Sequence, residues 1–212
     1  MNKKIIAVLA LAALVTTGAF AQLALGISGN IYTDTKMSGG EVVDRFQNGE
    51  GIFYGPFIEI GLGKLALGGA ANFSFYEEDW SIGQDGSWMM KMVDYDVNVY
   101  VQGHLLGYKA ILDPFAEAGI GVMGKNFQEE QYQNTDPLSV TTYFQAGLGL
   151  GLNLGGLGLF FKTNYLFPGD PVQTTVKLYN PDGTESTTTA SYTLPMYDLK
   201  RMKITLGAKI IL

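Results

Sequence analysis

The chain has no cysteine, a single histidine and few charges, and past its N-terminal segment it has no long apolar run. Lack of cysteine excludes disulfides, thiol chemistry and the lipid attachment of a lipoprotein. One histidine, His104, leaves little room for a zinc site, and neither zinc-type nor EF-hand-type ligand spacing occurs, so no metal or cofactor is expected. Charged residues make up 16% of the chain, against about a quarter in an ordinary soluble domain. Hydrophobic residues make up 47%, yet after the N-terminus none of them builds the roughly 18-residue run of a membrane-spanning helix. A chain this apolar without such runs must place its apolar residues at alternate positions, as strands with one buried face do.

The N-terminus reads as an export leader. Met1-Asn2-Lys3-Lys4 is basic, Ile5 to Val15 is apolar, and Ala19-Phe20-Ala21 has the small-x-small form of a cleavage site. Cleavage is predicted before Gln22, dividing the chain into a leader, 1–21, and one barrel domain, 22–212. Loss of Lys3 and Lys4 takes the formal charge from −6 to −8. So acidic a protein is a poor ligand for nucleic acid.

From Leu23 onward the pattern has a period of two. Leu23, Leu25, Ile27, Gly29 and Ile31 share one face, and Ala24, Gly26, Ser28, Asn30 and Tyr32 the other. Val93 to Gln102 alternates five apolar residues with five that carry polar groups, an order no helix sorts onto two faces. Ile52 to Gly63, Leu65 to Tyr76, Ile111 to Met123, Phe144 to Leu154, Leu157 to Phe167 and Met202 to Leu212 complete a predicted set of eight antiparallel strands. Connections alternate in length. Those at Gly63-Lys64, His104 to Lys109 and Gly155-Gly156 are short. Those at Thr33 to Gly51, Glu77 to Met92, Gly124 to Leu138 and Pro168 to Lys200 are long and polar, and the last is expected to carry its own hairpin around Asn180-Pro181-Asp182-Gly183. Short turns on one side and long loops on the other are the topology of an all-β, up-and-down transmembrane barrel with periplasmic turns and extracellular loops.

Three features place the apolar face outward, toward lipid. The polar face is rich in small residues, Gly61, Gly63, Gly147, Gly149, Gly151 and Asn153, which suit the narrow interior of eight strands. Tyr54, Phe73, Phe75, Tyr95, Phe144, Tyr165 and Phe167 fall near the long-loop ends of their strands, as an aromatic girdle at a lipid–water boundary does. The alternating runs have the 9–11 residues, or slightly more, that a tilted strand needs to cross hydrocarbon.

Pro114-Phe115-Ala116-Glu117-Ala118-Gly119-Ile120-Gly121, its near copy Pro56-Phe57-Ile58-Glu59-Ile60-Gly61-Leu62-Gly63, and the end echo Ala146-Gly147-Leu148-Gly149 resemble the Pro-aromatic strand of the small OmpA/OmpX/OmpW-type outer-membrane barrels. The last strand, with Thr205, Gly207, Ile210 and Leu212, is similar to the signal read by the barrel-assembly machinery, although Leu212 stands where an aromatic is usual. The resemblance covers essentially the whole chain after the leader. It implies an outer-membrane location, lipid and the assembly machinery as partners, and a monomer.

Seven charged residues fall on the inward face: Glu59, Asp94, Asp96, Glu117, Lys162, Lys203 and Lys209. In a narrow, partly dry lumen they should pair, and Glu117 with Lys162 is the expected pair, at similar depths two strands apart. Two roles are open for the set, a gate or ion path and an internal staple, and pairing favours the staple. If the barrel is instead a narrow conduit, Tyr76, Phe160 and Leu166 would line an apolar upper chamber. A catalytic role is disfavoured because His104 has no serine beside it on its strand face, and the glycines from Gly147 to Gly158 recur as one strand face, not as a nucleotide-binding turn. Trp80, Trp88, Met89 and Met90 give one long loop an apolar character. The function expected is a structural or surface-interaction barrel acting through its extracellular loops. A narrow conduit for small solutes, as the OmpW resemblance implies, is the alternative, and a membrane enzyme the weakest.

Overall fold

The computed structural model describes residues 21–34, 52–81, 87–127, 132–134, 140–170, 172–179, 185–194 and 201–212. The predicted leader, apart from Ala21, lies outside the described residues. All described elements are strands: β1 (Ala21–Asp34), β2 (Ile52–Leu62), β3 (Leu65–Ser81), β4 (Ser87–His104), β5 (Leu112–Phe127), β6 (Tyr132–Asn134), β7 (Thr141–Leu154), β8 (Leu157–Pro168), β9 (Val172–Tyr179), β10 (Glu185–Leu194) and β11 (Arg201–Ile211).

Eight of these close a barrel in the order β1-β2-β3-β4-β5-β7-β8-β11, with β11 pairing back onto β1, and every pair is antiparallel. The seam runs in continuous register from Ala24↔Ile211 to Asp34↔Arg201. Closure leaves no strand edge, so the barrel backbone is satisfied without water. Two of the turns rest on glycine: Gly63 leads one at φ 70°, and Gly155 and Gly156 form another at 58° and 102°, backbone that other residues rarely adopt.

Strand parity sets the two faces. In β2, β7 and β8, buried and exposed residues alternate almost without interruption. The outer face is a belt of large apolar side chains, among them Leu25, Ile27, Leu67, Val99, Ile120, Leu148, Phe161 and Leu206, with Ile27 70% and Leu148 67% exposed. Such a continuous apolar surface suits acyl chains and not water. Toward the long-loop end the belt carries exposed Tyr54, Phe73, Phe75, Phe144, Tyr165 and Phe167, with Tyr95 half-buried. Their rings meet in pairs, Tyr165–Phe167 at 4.9 Å and Phe144–Phe167 at 6.1 Å.

Two long connections differ from the expectation. Glu77 to Met92 is mostly not a loop: β3 and β4 stay paired up to Trp80↔Trp88 and Ser81↔Ser87. With 17 and 18 residues, at about 3.3 Å each, the two strands run well past a bilayer core. The segment from Gly124 likewise begins as strand, since β5 continues to Phe127. Beyond the barrel, β9 and β10 form the hairpin expected in the last connection, and β6 joins it as a small second sheet. The predicted turn at Asn180 to Gly183 lies outside the described residues.

Candidate functional site: the ion pairs of the lumen

The inward face of β4 is the spine of the lumen. Every second residue from His104 to Asp94 takes part in a polar contact, and β4 reaches all five acidic centres inside the barrel. Nearest the short turns, His104 Nδ1 lies 2.7 Å from Asp113 Oδ2 on β5. The carboxylate only accepts, so the ring nitrogen is the donor. Next, Glu59 receives Lys209 Nζ at 2.8 Å, the Tyr108 hydroxyl at 2.8 Å and the Tyr100 hydroxyl at 3.0 Å. Glu117 receives Lys162 Nζ at 2.7 Å together with the side-chain amides of Gln102, Gln145 and Asn164 at 2.9, 3.0 and 2.7 Å. Asp96 receives Lys203 Nζ at 2.6 Å, the Tyr32 hydroxyl at 2.5 Å and the Tyr143 hydroxyl. Toward the long loops, Lys125 Nζ stands 3.6 Å from Asp94 Oδ1, and the Tyr76 hydroxyl bonds both partners.

All seven charges read from the sequence thus lie inside and buried. The structure brings Glu117 to Lys162, Glu59 to Lys209 and Asp96 to Lys203. Lys125, the partner of Asp94, was missed because the strand holding it extends into what reads as a loop, yet it shares parity with Glu117. Asp113 also shares that parity. Tyr108 sits in a turn, where no periodicity marks it. Thr205 is buried, Gly207 faces inward beside Phe160, and Ile210 and Leu212 are exposed.

Apolar clusters sit between the charges. Ala24, Ala66 and Tyr108 pack near the short turns, Phe57, Phe115 and Phe160 further in, and Tyr32, Phe53, Met123, Tyr143 and Leu166 toward the long loops. The expected upper apolar chamber is therefore corrected. Phe160 packs edge-on to Phe57 at 5.3 Å in the middle of the lumen, Leu166 is fully buried in the last cluster, and Tyr76 is engaged with Asp94 and Lys125. Large rings fit because glycines face them: a Cβ on Gly61, Gly68, Gly121 or Gly149 would stand within 2.4 Å of Tyr108, Tyr100, Tyr143 or Phe115.

A strap of residues 105–111 shuts the short-turn mouth. Tyr108 turns back into the barrel with 1% of its surface exposed. Its amide bonds Gly63 O at 3.0 Å, its carbonyl and that of Ala110 accept from Asn153 Nδ2, and Lys209 Nζ lies 4.1 Å over its ring. Burial and the adjacent Glu59 carboxylate push its hydroxyl far above the ordinary tyrosine range, so it remains a donor. One lumen cavity among the described residues, beside Asn30, Asn72, Tyr100, Lys162 and Lys203, measures about 10 Å³, room for about one water. Among the described residues no three His, Cys, Asp or Glu side chains converge as a metal site.

No known family model matches the sequence, and no curated protein is detectably similar to it in sequence. Similarity appears among solved structures. A major outer membrane protein from Thermus thermophilus has a TM-score of 0.54 at 11% identity, covering 91% of this chain and 99% of that one. The N-terminal β-barrel domain of Pseudomonas aeruginosa OprF scores 0.39 at 12% identity, covering 90% and 97%, and Neisserial surface protein A scores 0.44 at 7%, covering 90% and 96%. The first likeness is one of fold, and it joins the apolar outer belt in making this an outer-membrane type of transmembrane barrel with eight antiparallel strands.

Proposed function

We propose that the chain is an integral outer-membrane barrel with a sealed lumen, exported with a leader cleaved before Gln22, whose working surface is its extracellular long-loop end. The observation that carries this reading is the filled interior. Four lysine–carboxylate pairs, three apolar clusters and the Tyr108 strap occupy the lumen among the described residues. Buried charges held this closely are staples, because each ammonium and carboxylate is already coordinated and a passing ion would have to displace its partner. Interaction is left to the long-loop end, where the β3–β4 hairpin projects and β6, β9 and β10 form their own sheet. Thr205, Gly207, Ile210 and Leu212 supply the strand offered to the assembly machinery, and the chain works as a monomer in lipid.

Planar-bilayer recording of the purified barrel tests the sealed lumen. The wild type is expected to give no steady openings. Stable ohmic openings altered by Glu117→Gln would overturn the staple and establish the narrow conduit instead. Analysis of lipid A from expressing cells addresses a membrane enzyme, for which His104–Asp113 is the histidine–carboxylate dyad among the described residues.

A further inference from the structure

Resting on the membrane-barrel reading, we propose that the short-turn end holds an anionic glycerophospholipid headgroup between Lys64 and Lys109. Two backbone hydrogen bonds place these lysines on adjoining turns: His104 N donates to Lys64 O at 2.7 Å, and Tyr108 N donates to Gly63 O at 3.0 Å. The strap has two sides. Tyr108 enters the lumen, while Leu105, Leu106 and Ile111 turn away from it and are 66–70% exposed. Leu65 and Leu112, at the adjoining strand ends, are exposed as well and join these residues to the outer apolar belt. An apolar turn of this size is stable against lipid and unfavourable against water. The strap therefore continues the acyl-facing surface to the short-turn end of the barrel.

Charge at this end selects the headgroup. The chain carries a formal charge of −6, yet its three short connections contain Lys64 and Lys109 and no acid. Both lysines are exposed, and neither forms an ion pair with a described residue. Asp113 and Glu59, described acidic side chains on the short-turn side of the lumen, are buried on His104 and Lys209. Two exposed lysines on adjoining turns that also carry exposed leucines complement a phosphate whose acyl chains run along the barrel wall. A zwitterionic choline headgroup brings a cation of its own to the same place and gains less.

Native mass spectrometry of the folded full-length barrel, titrated with phosphatidylglycerol and phosphatidylcholine, reads this directly. The wild type should retain phosphatidylglycerol preferentially, and added salt should weaken the preference. At about 1 kcal/mol per basic residue near an anionic surface, the double variant Lys64→Gln/Lys109→Gln should lose roughly thirtyfold in relative affinity. Lys91→Gln, an exposed lysine toward the other end of the barrel, should change nothing. Equal loss in that control, or a wild type that inserts into vesicles with no headgroup preference, would overturn the site alone. A wild type that does not insert at all would overturn the membrane reading and the site with it.

Discussion

Lys209, on the last barrel strand, places its Nζ 2.8 Å from Oε2 of Glu59, 150 residues earlier in the chain. Between them lies β1, so the bond reaches across the seam where the barrel closes. Removing the charge of Glu59 leaves a buried ammonium without its counter-ion. Glu59→Gln should therefore destabilise the barrel by about 3–5 kcal/mol, and adding Lys209→Met should recover much of that loss. Urea unfolding in lipid vesicles, followed by tryptophan fluorescence, measures both; an additive double variant would show that the two groups are not coupled.

Glycine in the lumen is a matter of space. A Cβ on Gly149 would stand 2.2 Å from the Phe115 ring, whereas one on Gly29, on the outer face, would meet nothing within 4 Å. Gly149→Leu should cost about 1–3 kcal/mol through overpacking, with Phe115→Ala in the same chain relieving part of it. Gly29→Ala should stay within about 0.5 kcal/mol of the wild type. Equal effects at the two positions would mean that the faces are assigned wrongly.

Leu148 stands at the middle of β7 on the outer face, 67% exposed. Leu148→Arg should cost on the order of 2–4 kcal/mol if that face meets the bilayer midplane. Retention of heat-modifiable gel mobility and of wild-type urea stability would contradict a lipid-facing Leu148.

Tyr108 has two separable contributions to the strap. Tyr108→Phe removes the hydroxyl given to Glu59 and should cost about 1 kcal/mol. Tyr108→Ala also empties the mouth of the lumen and should cost about 3–5 kcal/mol. Hydrogen exchange at the Tyr108 and Asn153 amides, which bond Gly63 O and Ile111 O, should quicken in the alanine variant and hardly change in the phenylalanine one.

Much of the barrel was legible because the pleat of a strand has a period of two and lipid enforces it. Val93 to Gln102 shows this best: its apolar positions face outward, and Asp94, Asp96, Asn98, Tyr100 and Gln102 all enter the polar spine. Legibility ends where the membrane does. Beyond Tyr76 the residues of β3 turn polar, Glu77, Glu78 and Asp79, so alternation vanishes from the sequence. The ladder to β4 continues, because backbone hydrogen bonds form whatever the side chains are. Lys125 was hidden by the same effect.

The sequence by itself determined the eight strands of the barrel, its short turns and seven of its inward charges, Lys125 and Asp113 excepted, since these follow from local periodicity and turn chemistry. Glu117 with Lys162 apart, only the tertiary structure decided which acid meets which base, because that depends on how far each strand is staggered against its neighbours as the barrel closes. It alone showed Tyr108 folded into the mouth. A single residue in a seven-residue turn has no period to betray it, and its place is set by the space opposite Gly61 and the carboxylate of Glu59.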